Sequence, residues 1–66
     1  LTVQFRSNLG EVNICLQEVT GTIEYCQPVD TSIQNQAVLV APSGTYILTI
    51  LGTAGNVIHQ ESVFIP

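Results

Sequence analysis

Basic residues are almost absent from this 66-residue chain. Arg6 is its single Lys or Arg, set against five Asp and Glu, for a formal net charge of -4. Affinity for a phosphate backbone rests on several Lys or Arg contacts, so nucleic acid is excluded as a partner class. Attraction to an anionic membrane surface fails for the same reason. Trp and Met are missing, and two Phe and two Tyr make up the whole aromatic content. A carbohydrate platform of flat exposed rings is therefore not expected. No apolar run approaches the length of a membrane-spanning helix, because Gly, Pro and Thr interrupt each of them. Direct membrane insertion is not expected either.

Chemistry-bearing residues are equally scarce. His59 is the single histidine and Cys15 and Cys26 are the only cysteines. A zinc site usually takes three or four protein ligands, which two thiols do not supply, so no metal is expected. No glycine pattern matches a phosphate loop or a dinucleotide fingerprint, and no spacing of Asp and Asn makes a calcium loop, so no cofactor is expected. Ser7, Ser32, Ser43 and Ser62 lack a nucleophile-elbow context. Glu18 and Glu24 flank one turn and could approach each other, yet a glycosidase also needs a cleft between its carboxylates. His59 reads as a surface or edge residue. The residues thus describe a non-enzyme; catalysis would require a deep pocket holding His59 beside a carboxylate.

What the chain does contain is strand pattern. Leu1, Val3 and Phe5 alternate with Thr2, Gln4 and Arg6, the period of a half-buried strand. Val12, Ile14 and Leu16 alternate with polar neighbours in a second strand. A Thr-Gly turn signal at residues 19–22 follows, and Ile23 and Tyr25 open a third strand that Pro28 should end or push to an edge. Asp30 to Gln36 is polar, with room for a short irregular edge strand. Ala37 to Ala41 is the next apolar run, Val38 and Val40 on one face and Leu39 on the other. Pro42-Ser43-Gly44 turns the chain. Thr45 to Leu51 is the strongest strand, rich in β-branched and aromatic residues. A glycine-containing loop, Gly52 to Asn56, leads into the last strand, Val57 to Ile65. There Val63 and Ile65 share a face with His59 and Glu61, while Ile58 and Phe64 share the other; a bulge reconciles the two patterns. No segment carries a capped helical period.

One domain, residues 1–66, follows from this length, with a thin core that benefits from a covalent staple or a partner. The expected core is Val3, Phe5, Val12, Ile14, Leu16, Ile23, Tyr25, Val38, Val40, Tyr46, Leu48 and Ile50. Low surface charge removes one of the usual guards against edge-to-edge pairing.

The cysteines offer two outcomes. A hairpin turning symmetrically about Thr20 and Gly21 sets Leu16 opposite Tyr25 and Cys15 opposite Cys26, both sulfurs on the face away from the core. Directly opposed side chains are close enough for a disulfide after slight tightening. A three-residue loop through Val19, Thr20 and Gly21 shifts the register by one and sets Cys15 opposite Tyr25, leaving two free thiols.

Gly44-Thr45-Tyr46, the alternation through Ile50, the Gly55-Asn56 turn and the closing apolar strand resemble the last hairpin of small secreted β-sandwich domains of Bacteroides. The run from Glu11 through Gly21 to Tyr25 resembles their central hairpin. The chain is most similar to a family of small Bacteroides proteins with a domain of unknown function. That resemblance implies an immunoglobulin-like β-sandwich of about six to seven short antiparallel strands. It also implies export to the periplasm, outer surface or beyond, where a Cys15–Cys26 bridge is permitted. A second resemblance is to C-terminal sorting domains of a Bacteroidetes secretion system, although these usually end on a basic residue and this chain has none after Arg6. The start at Leu1 reads as a mature or trimmed product. The expected role is that of a non-enzymatic binding or structural module, its partner a protein or a second copy met through an exposed sheet edge; the alternative is a sorting or accessory domain of a larger secreted protein.

Overall fold

A computed structural model describes residues 1–21 and 23–66; the last residue of the expected turn signal, Thr22, lies outside them. The described chain is all-β. Its strands are β1 (Thr2–Gln4), β2 (Glu11–Glu18), β3 (Glu24–Asp30), β4 (Gln36–Val38), β5 (Gly44–Leu51) and β6 (Val57–Ile65). They form a two-stranded sheet, β1-β4, and a four-stranded sheet in the order β3-β2-β5-β6. Each pairing is antiparallel.

The two sheets close on one core. Val12, Ile14 and Leu16 of β2 and Tyr46, Leu48 and Ile50 of β5 point inward and meet Phe5, Ala37 and Leu39 from the small-sheet side. The alternation in the sequence dictates this, since a strand turns every second side chain to the same face. Each large side chain removed from water contributes roughly 1.5–3 kcal/mol before ordering entropy is set against it. Ile14, Leu16 and Tyr46 are the most completely buried of them.

The structure corrects the expected core at three positions. In β4 the inward residues are Ala37 and its neighbour Leu39, while Val38 and Val40 are 55% and 88% exposed. The partner strand decides this. Val3 sits opposite Ala37, and Val3 and Phe5 face the core, so the residues in step with them must face it too. An apolar run with no polar side carries no mark of its own inner face. Ile23 is the third correction, at 53% exposure. It stands at the mouth of the β2–β3 hairpin, one step beyond Tyr25, which is packed against the core.

Pro28 neither ends β3 nor disrupts it. β3 is an edge strand, and Pro28 lies opposite Asn13. The hydrogen-bonded pairs of this ladder fall on the alternate residues, as the Glu18 N–H to Ile23 carbonyl bond of 3.1 Å shows. The missing N–H of Pro28 would therefore have pointed to the open side, where a ladder loses nothing. Between Asp30, the end of β3, and Gln36, the start of β4, the chain makes a turn and not an edge strand. Ile33 and Gln34 both donate to the Asp30 carbonyl, and buried Thr31 bonds Gly10 and Leu9 through its hydroxyl.

The expected bulge is present in β6. Ile50 faces His59 but Leu51 faces Val57, so Ile58 is the extra residue. The loop before it closes through a Gly52 N–H to Asn56 carbonyl bond of 2.8 Å. Gly55 holds φ at +81° there, a conformation other residues adopt only with strain.

Candidate functional site

The β2–β3 hairpin takes the symmetric register. Leu16 faces Tyr25, Cys15 faces Cys26, and the two sulfurs are joined in a disulfide. The shifted register with free thiols is thereby excluded. The pair occupies a non-hydrogen-bonded site of the ladder, where opposed Cα atoms approach most closely; here they are 4.1 Å apart. Both cysteines leave the outer face, as expected. Cys15 is nonetheless buried and Cys26 exposed, because Cys15 belongs to an interior strand with Thr49 on its other flank. Glu24 approaches Cys26 from two residues away. Cys15, Glu24 and Cys26 cluster closely enough for metal ligation, but sulfurs bonded to each other offer no thiolate.

Glu18 and Glu24 are not brought together. Gln17 faces Glu24, so Glu24 shares the outer face with Cys26, whereas Glu18 faces Tyr46 across the ladder to β5 on the core side. The Asp30 carboxyl is held below the usual aspartate range by hydrogen bonds from the hydroxyl and the N–H of Ser32. That is a turn-stabilising arrangement. Tyr46 is a core residue whose hydroxyl donates to the Pro42 carbonyl at 2.7 Å. Burial raises its phenol above the ordinary value, with the nearby Tyr25 and Glu18 adding to the shift. Tyr25 packs edge-on against it, ring centres 6.4 Å apart.

His59 and Glu61 are the ionisable pair the fold does assemble. The β5 register, with His59 opposite Ile50 and Glu61 opposite Leu48, puts both on the core-facing side of β6. Their side chains nevertheless remain 52% and 53% exposed, with His59 Nε2 3.6 Å from a Glu61 carboxylate oxygen. The small sheet does not extend over them. Between them and β1 lies a shallow cleft of about 310 Å³, walled by Thr2, Gln4, Leu48, His59, Glu61 and Val63. A larger hollow of about 490 Å³ at the loop end has Glu11 as the one ionisable residue on its wall.

Two unpaired main-chain edges flank this cleft. Leu1 and Leu39 exchange both main-chain bonds, at 3.0 and 2.8 Å, and Phe5 donates to Asn35. The intervening Thr2 and Gln4 therefore turn their N–H and C=O groups away from β4, toward the open side. In the large sheet, Val19 donates to Thr45, which assigns Thr45, Ile47 and Thr49 to bonding with β2 and Tyr46, Leu48 and Ile50 to bonding with β6. Gln60, Ser62 and Phe64 of β6 are left with outward main-chain groups. Low charge in the sequence hinted at usable edges. Which strands end at an edge depends on strand order, which alternation does not encode.

Comparison with family models, curated proteins and solved structures finds no match to this chain. Among the described residues no helix is long and apolar enough to cross a membrane.

Proposed function

We propose that this is an exported, non-enzymatic immunoglobulin-like module that works by accepting an extended strand along the open edge of β1. The observation that carries this reading is the mismatch between the sheets. Two strands face four, β1 has Thr2 and Gln4 unpaired on one side, and the core-facing side of β6 below it is uncovered. A further strand beside β1 would satisfy those groups and close the cleft over His59, Glu61 and Val63, the general mode of strand addition.

The fold reading draws on two features. A four-stranded sheet ordered as C′-C-F-G facing a B-E pair is an immunoglobulin-type arrangement, and a tyrosine near the start of strand F bonding back to the preceding corner is one of its hallmarks. Tyr46 and Pro42 supply that contact. The disulfide fits an oxidising compartment, which agrees with the resemblance to secreted Bacteroides domains. The shallow, half-exposed setting of His59 and Glu61 fits a recognition surface better than a water-excluding catalytic site.

The test is photocrosslinking from position 2 in cells that export the chain. Adducts are expected from the exported protein and should vanish in Gln4→Pro, which removes an outward N–H without touching the β1–β4 bonds. Adducts unaffected by Gln4→Pro, or a chain retained in a reducing compartment, would refute the reading.

A further inference from the structure

We propose that β6 forms a twofold-symmetric pair with β6 of a second copy of this chain, in a register centred on Gln60. This rests on the reading that the domain acts through unpaired edges, and it names the partner of the second edge.

A twofold axis normal to a sheet sets one residue opposite itself, so each symmetric register is defined by its central residue. Centring on Gln60 puts the two glutamines together and sets each His59 opposite Glu61 of the second copy. An imidazole can donate to a carboxylate in either charge state. The intrachain contact between His59 and Glu61 then becomes one side of a square in which imidazole and carboxylate alternate. On the outer face, Phe64 of each copy is carried past the last regular pair toward the bulged Ile58 of the other. Phe64 is 68% and Ile58 40% exposed in the single chain, so the pairing covers apolar surface that is otherwise wet. Gln60 has its main-chain groups outward, and these close the central bonded pair.

The neighbouring registers fail on the same residues. Centring on Glu61 opposes two carboxylates and sets His59 against Val63. Centring on His59 opposes two imidazoles and leaves Glu61 facing the bulge without a regular partner. Centring on Ser62 puts Glu61 against Val63 and Gln60 against Phe64. Inward-pointing charges and bulges commonly guard a sheet edge. Here the side-chain pattern disfavours the three neighbouring registers, and the bulge at Ile58 ends the regular pairing.

Sedimentation velocity across micromolar to millimolar concentrations decides the matter. The wild-type chain should populate a dimer. Gln60→Pro should be monomeric with an unchanged far-UV circular dichroism spectrum. Glu61→Lys should raise the dissociation constant about tenfold, the sum of two cross-strand pairs, and His59→Glu combined with Glu61→Lys should restore it. A wild-type monomer at millimolar concentration, or Glu61→Lys dimerising as tightly as wild type, overturns the proposal. Dimerisation lost in Gln4→Pro but kept in Gln60→Pro also overturns it, while leaving the β1 edge as the working surface.

Discussion

The two edges of the large sheet are finished in opposite ways. At β3 the outward main-chain row is interrupted by Pro28, and the strand is bonded covalently to its neighbour through Cys15 and Cys26. At β6 nine residues run without proline or crosslink, protected only by a bulge and by the inward pair His59 and Glu61. A proline on an outer row and a staple to the inner strand close an edge to other chains. A bulge and one exposed imidazole–carboxylate contact leave that edge open. The comparison teaches that the two edges differ in finish: β3 is tied to its neighbour and broken by proline, while β6 is left open.

The largest effect that would sharpen this contrast is loss of the staple. Cys15→Ala with Cys26→Ala should lower stability by about 2–5 kcal/mol, read from urea denaturation. Hydrogen exchange in the same variant should show β3 amides losing protection before those of β6. Equal loss at both edges would break the comparison. Next comes proline placed on the two rows of β6. Glu61→Pro removes an N–H that faces Leu48 in the ladder and should cost about 2–3 kcal/mol. Gln60→Pro removes an outward one and should cost less than about 1 kcal/mol, and paired thermal melts should separate them.

Both edges depend on β2 and β5, and Tyr46 anchors β5. Tyr46→Phe removes the bond to Pro42 and should lower the melting midpoint by about 4–8 °C, checked by calorimetry. The raised phenol pKa makes a related prediction. Because the fold disfavours the phenolate, its contribution is complete below the ordinary tyrosine pKa and fades as pH rises toward the higher folded value. Stability should fall on strong alkalinisation, in step with a late rise in tyrosine phenolate absorbance. The smallest effect concerns Asp30, next to the guarded edge. Its lowered pKa adds stability above the ordinary aspartate value, and that increment disappears as pH falls through the folded one. Ser32→Ala should flatten this acid dependence in pH-resolved melts.

Much of the fold was legible because the relevant residues alternate cleanly. Val12, Ile14 and Leu16, and Tyr46, Leu48 and Ile50, each mark one face with polar or mixed neighbours on the other. Requiring Leu16 and Tyr25 to share a face was enough to predict the symmetric hairpin register and the opposed cysteines, though not to choose it over the shifted one. The two apolar faces of β6 led to the expectation of a bulge, and one occurs at Ile58; it leaves Phe64 opposite in face to Val63 and exposed. The Ala37 to Ala41 run misled for the converse reason. Apolar on both sides, it left its orientation to Val3, a residue more than thirty positions away. The shared face of His59 and Glu61 and the surface position of His59 were legible in the sequence, whereas the cleft beside them was not.

By itself the sequence determined strand positions, the period of each strand and the pairing options of the one hairpin that carries the cysteines. These are local quantities, set by neighbours two residues apart or by a single tight turn. Tertiary structure alone decided the inner face of β4, the passage of β3 through Pro28, and the contact of His59 with Glu61 beside an uncovered cleft. Each depends on which strand lies beside or above another, and that order is fixed by hydrogen bonds and burial between distant segments.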